Sequence, residues 1–201
     1  MSAVAGAIGV DLGGQTACVA VAKRGGVEIV LNDANYRETQ MVVGFGENER
    51  FIGEQGYVQL KSNFKNTVVF PTRFLGLTPD SPLLNEEKKW LYCPLVTTAD
   101  NKIAFEVRYK GEKRQFVPEQ IVAMMLTKLQ NTNRKIGITH NDMVLSVPNY
   151  YTDQERKALL DAAKIAGINV LRLMNEPSAS KIRYNLSNYF SCLSLRYLQK
   201  V

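Results

Sequence analysis

Apolar positions in this chain come in short blocks, and their period changes from two to about four residues as the chain proceeds. Ala7 to Leu12 reads as a buried strand, and Ala17 to Ala22, with Cys18, Val19, Ala20 and Val21, as its antiparallel return across Gly13 and Gly14. Arg24-Gly25-Gly26 marks a turn before a third strand, Val27 to Leu31, so the opening is a β-meander. Met41 to Phe45 and Arg50 to Ile52 predict short strands around Gly46-Glu47-Asn48-Glu49, followed by a helical stretch near Glu54 to Lys61. Pro71, Pro79, Pro82 and Pro94 interrupt the next part. Ala104 to Tyr109 is expected to pair with Gln115 to Val117 across Lys110-Gly111-Glu112.

The helical period then takes over. Pro118 suits a first helical turn, and Val122, Met125, Leu126 and Leu129 follow at i, i+3, i+4 and i+7. Asp142 to Val147 is a buried-type strand ending at Pro148. Thr152-Asp153-Gln154-Glu155 is a capping box, with Leu159, Ala162, Ala163 and Ala166 as a small-residue stripe and Gly167 as the stop. Asn169 to Met174 is another buried-type strand. Two strand and helix units in succession give a parallel edge, so the fold class is α/β. The core is expected at about 1–37 and 115–179, with a mixed α+β insertion at about 38–114. Trp90, Leu91 and Tyr92 are expected to be local core rather than a ligand platform. Met124 and Met125 are expected to pack, and His140 reads as a loop residue.

Composition changes this picture little. The 201 residues include 45% hydrophobic ones, enough for one good-sized core. The formal charge of +6 is spread over scattered lysines and arginines, with no recognised nucleic-acid motif, so no nucleic-acid partner is expected. Cys18, Cys93 and Cys192 show no CxxC spacing, which points away from zinc and disulfides and fits a reducing compartment. No apolar stretch approaches the roughly 20 residues that span a bilayer, and the N-terminus lacks signal-peptide character, so the cytoplasm is the expected location and no membrane partner is expected.

Two sites carry candidate chemistry. In Asp11-Leu12-Gly13-Gly14-Gln15-Thr16, glycines permit positive φ and bring peptide N–H groups close to an anion, while Asp11 is placed to hold a hydrated cation. Taken alone, these residues describe an ordinary hairpin turn better than a phosphate loop, because a single Gly-Gly is a weak signal. Neither GxxxxGK[ST] nor GxGxxG is present, so any phosphate site here is built on a hairpin. Glu176 follows a parallel strand's carboxyl end, where α/β folds place ligands, and it also suits a helix cap. Together, Asp11 and Glu176 suggest two acidic strand ends converging on a metal and a phosphate.

Ile8-Gly9-Val10-Asp11-Leu12-Gly13, Asn66-Thr67-Val68, Leu145-Ser146-Val147-Pro148 and Leu171 to Pro177 occur in the order seen in the seventy-kilodalton heat-shock chaperone family. The chain resembles the first half of that family's nucleotide-binding domain, to about Ala179. Cys18 to Ala22, Gly25 to Glu28, Tyr151 to Gly167 and Leu171 to Glu176 resemble its large, one-hundred-and-ten-kilodalton branch. The resemblance implies the first lobe of an actin-like ATPase (ribonuclease H-like) fold that binds ATP and Mg. It places Asp11, Gly13, Gly14, Gln15 and Thr16 in a phosphate loop. Glu176 would position Mg through water, together with Asp11, and also the attacking water. Pro148 and Arg156 would relay nucleotide state. The large branch acts as nucleotide-exchange factors for smaller heat-shock relatives and holds unfolded polypeptides; the location expected for this chain is the cytoplasm, with the nucleus as an alternative.

Some features depart from the family. Aligned from Asn66 to Gly76, the position of the family lysine that contacts the γ-phosphate is Thr72, followed by Arg73, whose side chain is expected to point elsewhere. Threonine has neither the charge nor the reach, which weakens hydrolysis. The 25 residues after Glu176 contain no second Asp-Gly-Gly loop. The divergent tail, 180–201, is expected to come from an alternative or misassigned exon, with Leu186, Tyr189, Phe190, Leu193 and Tyr197 at helical spacing. The family function expected is that of an ATP-binding chaperone or co-chaperone of the nucleotide-exchange type; for this chain as it stands the favoured biochemical expectation is a non-catalytic interaction module in which ATP hydrolysis is absent. A sugar kinase on the same fold fits the motifs less well.

Overall fold

A computed structural model describes residues 8–23 and 26–184; the proposed tail helix at 186–197 lies outside them. Three strands open the chain: β1 (Ile8–Leu12), β2 (Thr16–Lys23) and β3 (Gly26–Val30). They form the expected antiparallel meander, with Val10 opposite Val19 and Val19 opposite Val30. Alternation decides which face is covered: Ile8, Val10, Leu12, Ala17, Val19 and Val21 are buried.

Elements of the middle segment follow as β4 (Glu38–Gln40), β5 (Val42–Phe45), β6 (Arg50–Ile52), α1 (Glu54–Gln59) and β7 (Thr67–Val69). A 3-10 turn, Pro71–Phe74, leads to α2 (Pro82–Glu87), β8 (Leu95–Thr97), β9 (Ile103–Tyr109) and β10 (Glu112–Phe116). The β9–β10 hairpin is tighter than expected. Glu112 is already paired with Tyr109, because Lys110 and Gly111 both adopt positive φ (54° and 79°) and close a two-residue turn.

The last part comprises α3 (Pro118–Lys135), β11 (Asp142–Val147), α4 (Asp153–Ile165), β12 (Asn169–Asn175) and α5 (Glu176–Tyr184). The principal sheet runs β12-β11-β1-β2-β3, with β4 pairing beside β3 on the same edge of β2. Strands β1, β11 and β12 are mutually parallel. Ile121, Val122, Met125, Leu126 and Leu129 of α3 and Ala158, Leu159, Ala162 and Ala163 of α4 join the sheet's apolar face in one core. Glu155 accepts from the Thr152 N–H at 2.6 Å and its hydroxyl at 2.8 Å, so the predicted capping signal starts α4. Gly167, at φ +70°, ends that helical segment.

One aromatic expectation is overturned. Trp90 and Tyr92 are each 62% exposed, and only Leu91 of the three packs on the core. The Lys88–Trp90 turn carries them outward beside Lys88 and Lys89, and Tyr92 meets Phe64 edge-on at 6.3 Å.

Candidate nucleotide site

The parallel strands all end at the same rim of the sheet, and the candidate residues gather there. Asp11 is exposed near the end of β1, and its Oδ1 accepts a 2.6 Å hydrogen bond from the Ser146 hydroxyl of β11. Ser146 Oγ in turn accepts from the Leu12 N–H at 3.1 Å, so one buried hydroxyl fixes the carboxylate and locks two strand ends together.

The loop Gly13-Gly14-Gln15 crosses to Thr16, the first residue of β2. Of the two reasons expected for its glycines, positive φ does not apply, since neither is among the positive-φ residues. A Cβ on Gly13 would lie 2.7 Å from the Thr16 carbonyl oxygen, and one on Gly14 would lie 3.4 Å from Arg73 Nε. Close approach is therefore the constraint at Gly13, whereas a Cβ at Gly14 would make ordinary contact with the arginine side chain.

Thr72 is 4% exposed, and its hydroxyl donates to the Gly13 carbonyl at 3.3 Å. The residue at the expected lysine position therefore reaches the loop as a neutral donor. Arg73 does not point away. Its side chain lies against Gly14, with the guanidinium over the Phe70 ring (5.6 Å to the centroid) and 3.2 Å from Glu87.

A chain of bonds joins this turn to the far carboxylate. The Tyr151 hydroxyl donates to the Thr72 carbonyl at 2.8 Å, Arg156 Nε donates to the Tyr151 carbonyl at 3.1 Å, and Arg156 Nη2 donates to Asn175 Oδ1 at 2.9 Å. Asn175 immediately precedes Glu176, the first residue of α5. The Pro148 carbonyl accepts from the Tyr151 N–H at 3.2 Å, which ties the end of β11 into the same network. Gly76 lets the Thr72 turn approach α4: at φ +68°, a Cβ there would sit 2.7 Å from the Glu155 nitrogen.

Electrostatics place Tyr150 in this neighbourhood. Burial and then the Glu176 charge raise its pKa, while Arg73 opposes them. Burial, followed by Tyr150, raises that of Tyr151 as well. Glu176 is half-buried. Sequence reasoning missed Ser146, Tyr151, Asn175 and Glu87 as site residues; their links run through carbonyls and distant partners that no local motif encodes. Two carboxylates, a glycine-led loop and a guanidinium are, by their chemistry, groups that could hold a Mg-bound phosphate chain.

A parallel βαβ edge grafted on a β-meander, with its site at the strand ends, is the first lobe of an actin-like ATPase. The chain belongs to the Hsp70 family: the family profile described as Hsp70 protein matches residues 7–190. Heat shock protein hsp88 of Neurospora crassa is 38% identical over 181 residues, covering 90% of this chain and 26% of that protein. Heat shock 70 kDa protein 4 of Rattus norvegicus is 40% identical over 180 residues (89% and 21%). Heat shock 70 kDa protein of Emericella nidulans is 40% identical over 185 residues (91% and 28%). Relatives of the large branch thus stand beside seventy-kilodalton proteins. The chain spans about a quarter of the length of these curated relatives. Family members in general bind ATP with Mg and interact with Hsp70 proteins and unfolded polypeptides. Among the described residues no helix is long and apolar enough to cross a membrane.

Proposed function

We propose that this chain supplies one jaw of an ATP-binding clamp in a heat-shock chaperone or co-chaperone of the nucleotide-exchange type, which assists protein folding in the cytoplasm or nucleus. Asp11 and Glu176 hold Mg through water, and Gly13, Gly14, Gln15 and Thr16 line the phosphates. Pro148 and Arg156 pass the state of the loop to β12. When bound, Mg would neutralise phosphate charge and orient the nucleotide. The partners are smaller heat-shock relatives and unfolded chains. The observation that carries this reading is the unbroken run of bonds from the Gly13 carbonyl through Thr72, Tyr151 and Arg156 to Asn175. Calorimetric titration with Mg-ATP tests it. Saturable binding weakened at least about tenfold by Asp11→Ala is expected, since charge-assisted contacts are the strong ones. Absence of binding would refute the nucleotide assignment.

A second reading has its own observation. The Thr72 hydroxyl is engaged with the Gly13 carbonyl and supplies no charge to a transferring phosphoryl group. A lobe that binds partners without turning over ATP follows from this. Mg-dependent ATP hydrolysis abolished by Glu176→Ala would exclude that reading.

A further inference from the structure

We propose that Arg73 is the group that recognises the terminal phosphate of the nucleotide in this chain, with Glu87 holding it in reserve; this rests on the nucleotide-binding reading above. Thr72 reaches the phosphate loop first, but as a neutral hydroxyl bonded to a carbonyl, so it offers no cation. The next side chain in the same 3-10 turn does. The Arg73 stem and Nε pack against the bare Gly14 backbone, which places a guanidinium directly beside the loop.

Three features prepare that placement. Phe70 adopts a left-handed backbone (φ 53°, ψ 44°), a conformation unfavourable for a bulky residue, and so turns the chain into Pro71–Phe74. Its ring then lies under the guanidinium at 5.6 Å and supports it from one side. Glu87, the last residue of α2, takes Nη1 at 3.2 Å. The pair is partly open to solvent, at 35% and 16% side-chain exposure, so it is a weak tie. A terminal phosphoryl group carries more charge than a carboxylate and accepts the planar guanidinium through two oxygens, so it competes effectively for Arg73. Exchange of Glu87 for phosphate keeps the cation paired in both states. The contact belongs to the phosphoryl group that ATP carries and ADP lacks, so a chain that uses Arg73 in this way binds ATP in preference to ADP.

Calorimetry on the 201-residue chain with Mg-ATP and Mg-ADP is the test, with circular dichroism and melting temperature checking that each variant folds. The wild type is expected to bind ATP more tightly than ADP. Arg73→Gln should lower ATP affinity about tenfold and leave ADP within about twofold, the size expected for one charge-assisted contact. Arg73→Lys should restore part of the loss, and Glu87→Gln should widen the ATP preference. A folded Arg73→Gln chain with an unchanged ATP-to-ADP ratio, or a Glu87→Gln chain with no widening, overturns the role of Arg73 while nucleotide binding stands. Failure of wild type and Glu87→Gln to bind either nucleotide overturns the nucleotide reading and this inference with it.

Discussion

Ser146 connects Asp11 to the body of the fold, and its position makes it vulnerable. Replacing it with alanine leaves the Leu12 N–H and the Asp11 carboxylate without their bonds to a buried hydroxyl. An orphaned buried donor costs on the order of 1–3 kcal/mol. Urea unfolding of Ser146→Ala should show a loss of that size, whereas a value within error of wild type would mean that water replaces the hydroxyl. Asp33 carries a different residue-scale prediction. Hydrogen bonds from Lys128 at 2.5 Å and Lys135 at 2.6 Å hold its carboxyl below the ordinary range. A lowered folded value stabilises fully above the unfolded carboxyl value of about 3.9 and progressively less as pH falls through the folded one. The site is 38% exposed, so screening limits the contribution to less than about 1 kcal/mol. Asp33→Asn should therefore melt slightly below wild type at pH 7, and the gap should close on acidification. At this scale the positions of Asp11 near a strand end, Gly13 in the loop after it and Glu176 just past a parallel strand were legible in the sequence. Ser146 was not, because its partner lies 135 residues away and a serine in a buried strand carries no local signature.

The elements that were easiest to read are those whose signals are local. The capping box of α4, the proline-led start of α3 and the alternation of β1 and β2 each follow from spacing within one segment. Strand β4 was missed because three residues offer no period; Glu38–Gln40 is a strand only through pairing with Thr16, Ala17 and Cys18 of β2. The aromatic content of Trp90 and Tyr92 suggested burial, yet neighbouring lysines and a short turn decided otherwise. Packing of α3 on α4 depends on the small face of α4, where Ala162 is fully buried. Ala162→Leu adds bulk where the helices meet and should cost about 1–3 kcal/mol by overpacking. The same substitution at exposed Lys164 should cost little. Equal effects at both positions would show that the helix contact is loose.

Across the whole molecule, sequence reading divided the chain into a core and an insertion, while packing runs across that boundary. Phe45 and Phe105 of the middle segment belong to the same buried cluster as Val10, Leu126 and Leu145. Phe74 meets Phe105 edge-on at 5.3 Å, and Phe74 ends the very turn that presents Thr72 and Arg73 to the phosphate loop. Loosening of the middle segment therefore removes support from the site as well as from the core. A continuous core of this kind predicts one cooperative unfolding transition. The single Trp90 sits in the middle segment, one short turn beyond Glu87. Its fluorescence reports that segment, whereas far-UV circular dichroism is dominated by α3 and α4. In urea the two probes should give coincident midpoints. An earlier fluorescence transition would mean that the segment carrying Arg73 and Glu87 unfolds by itself, and that the rim between phosphate loop and guanidinium is held less firmly than the sheet beneath it.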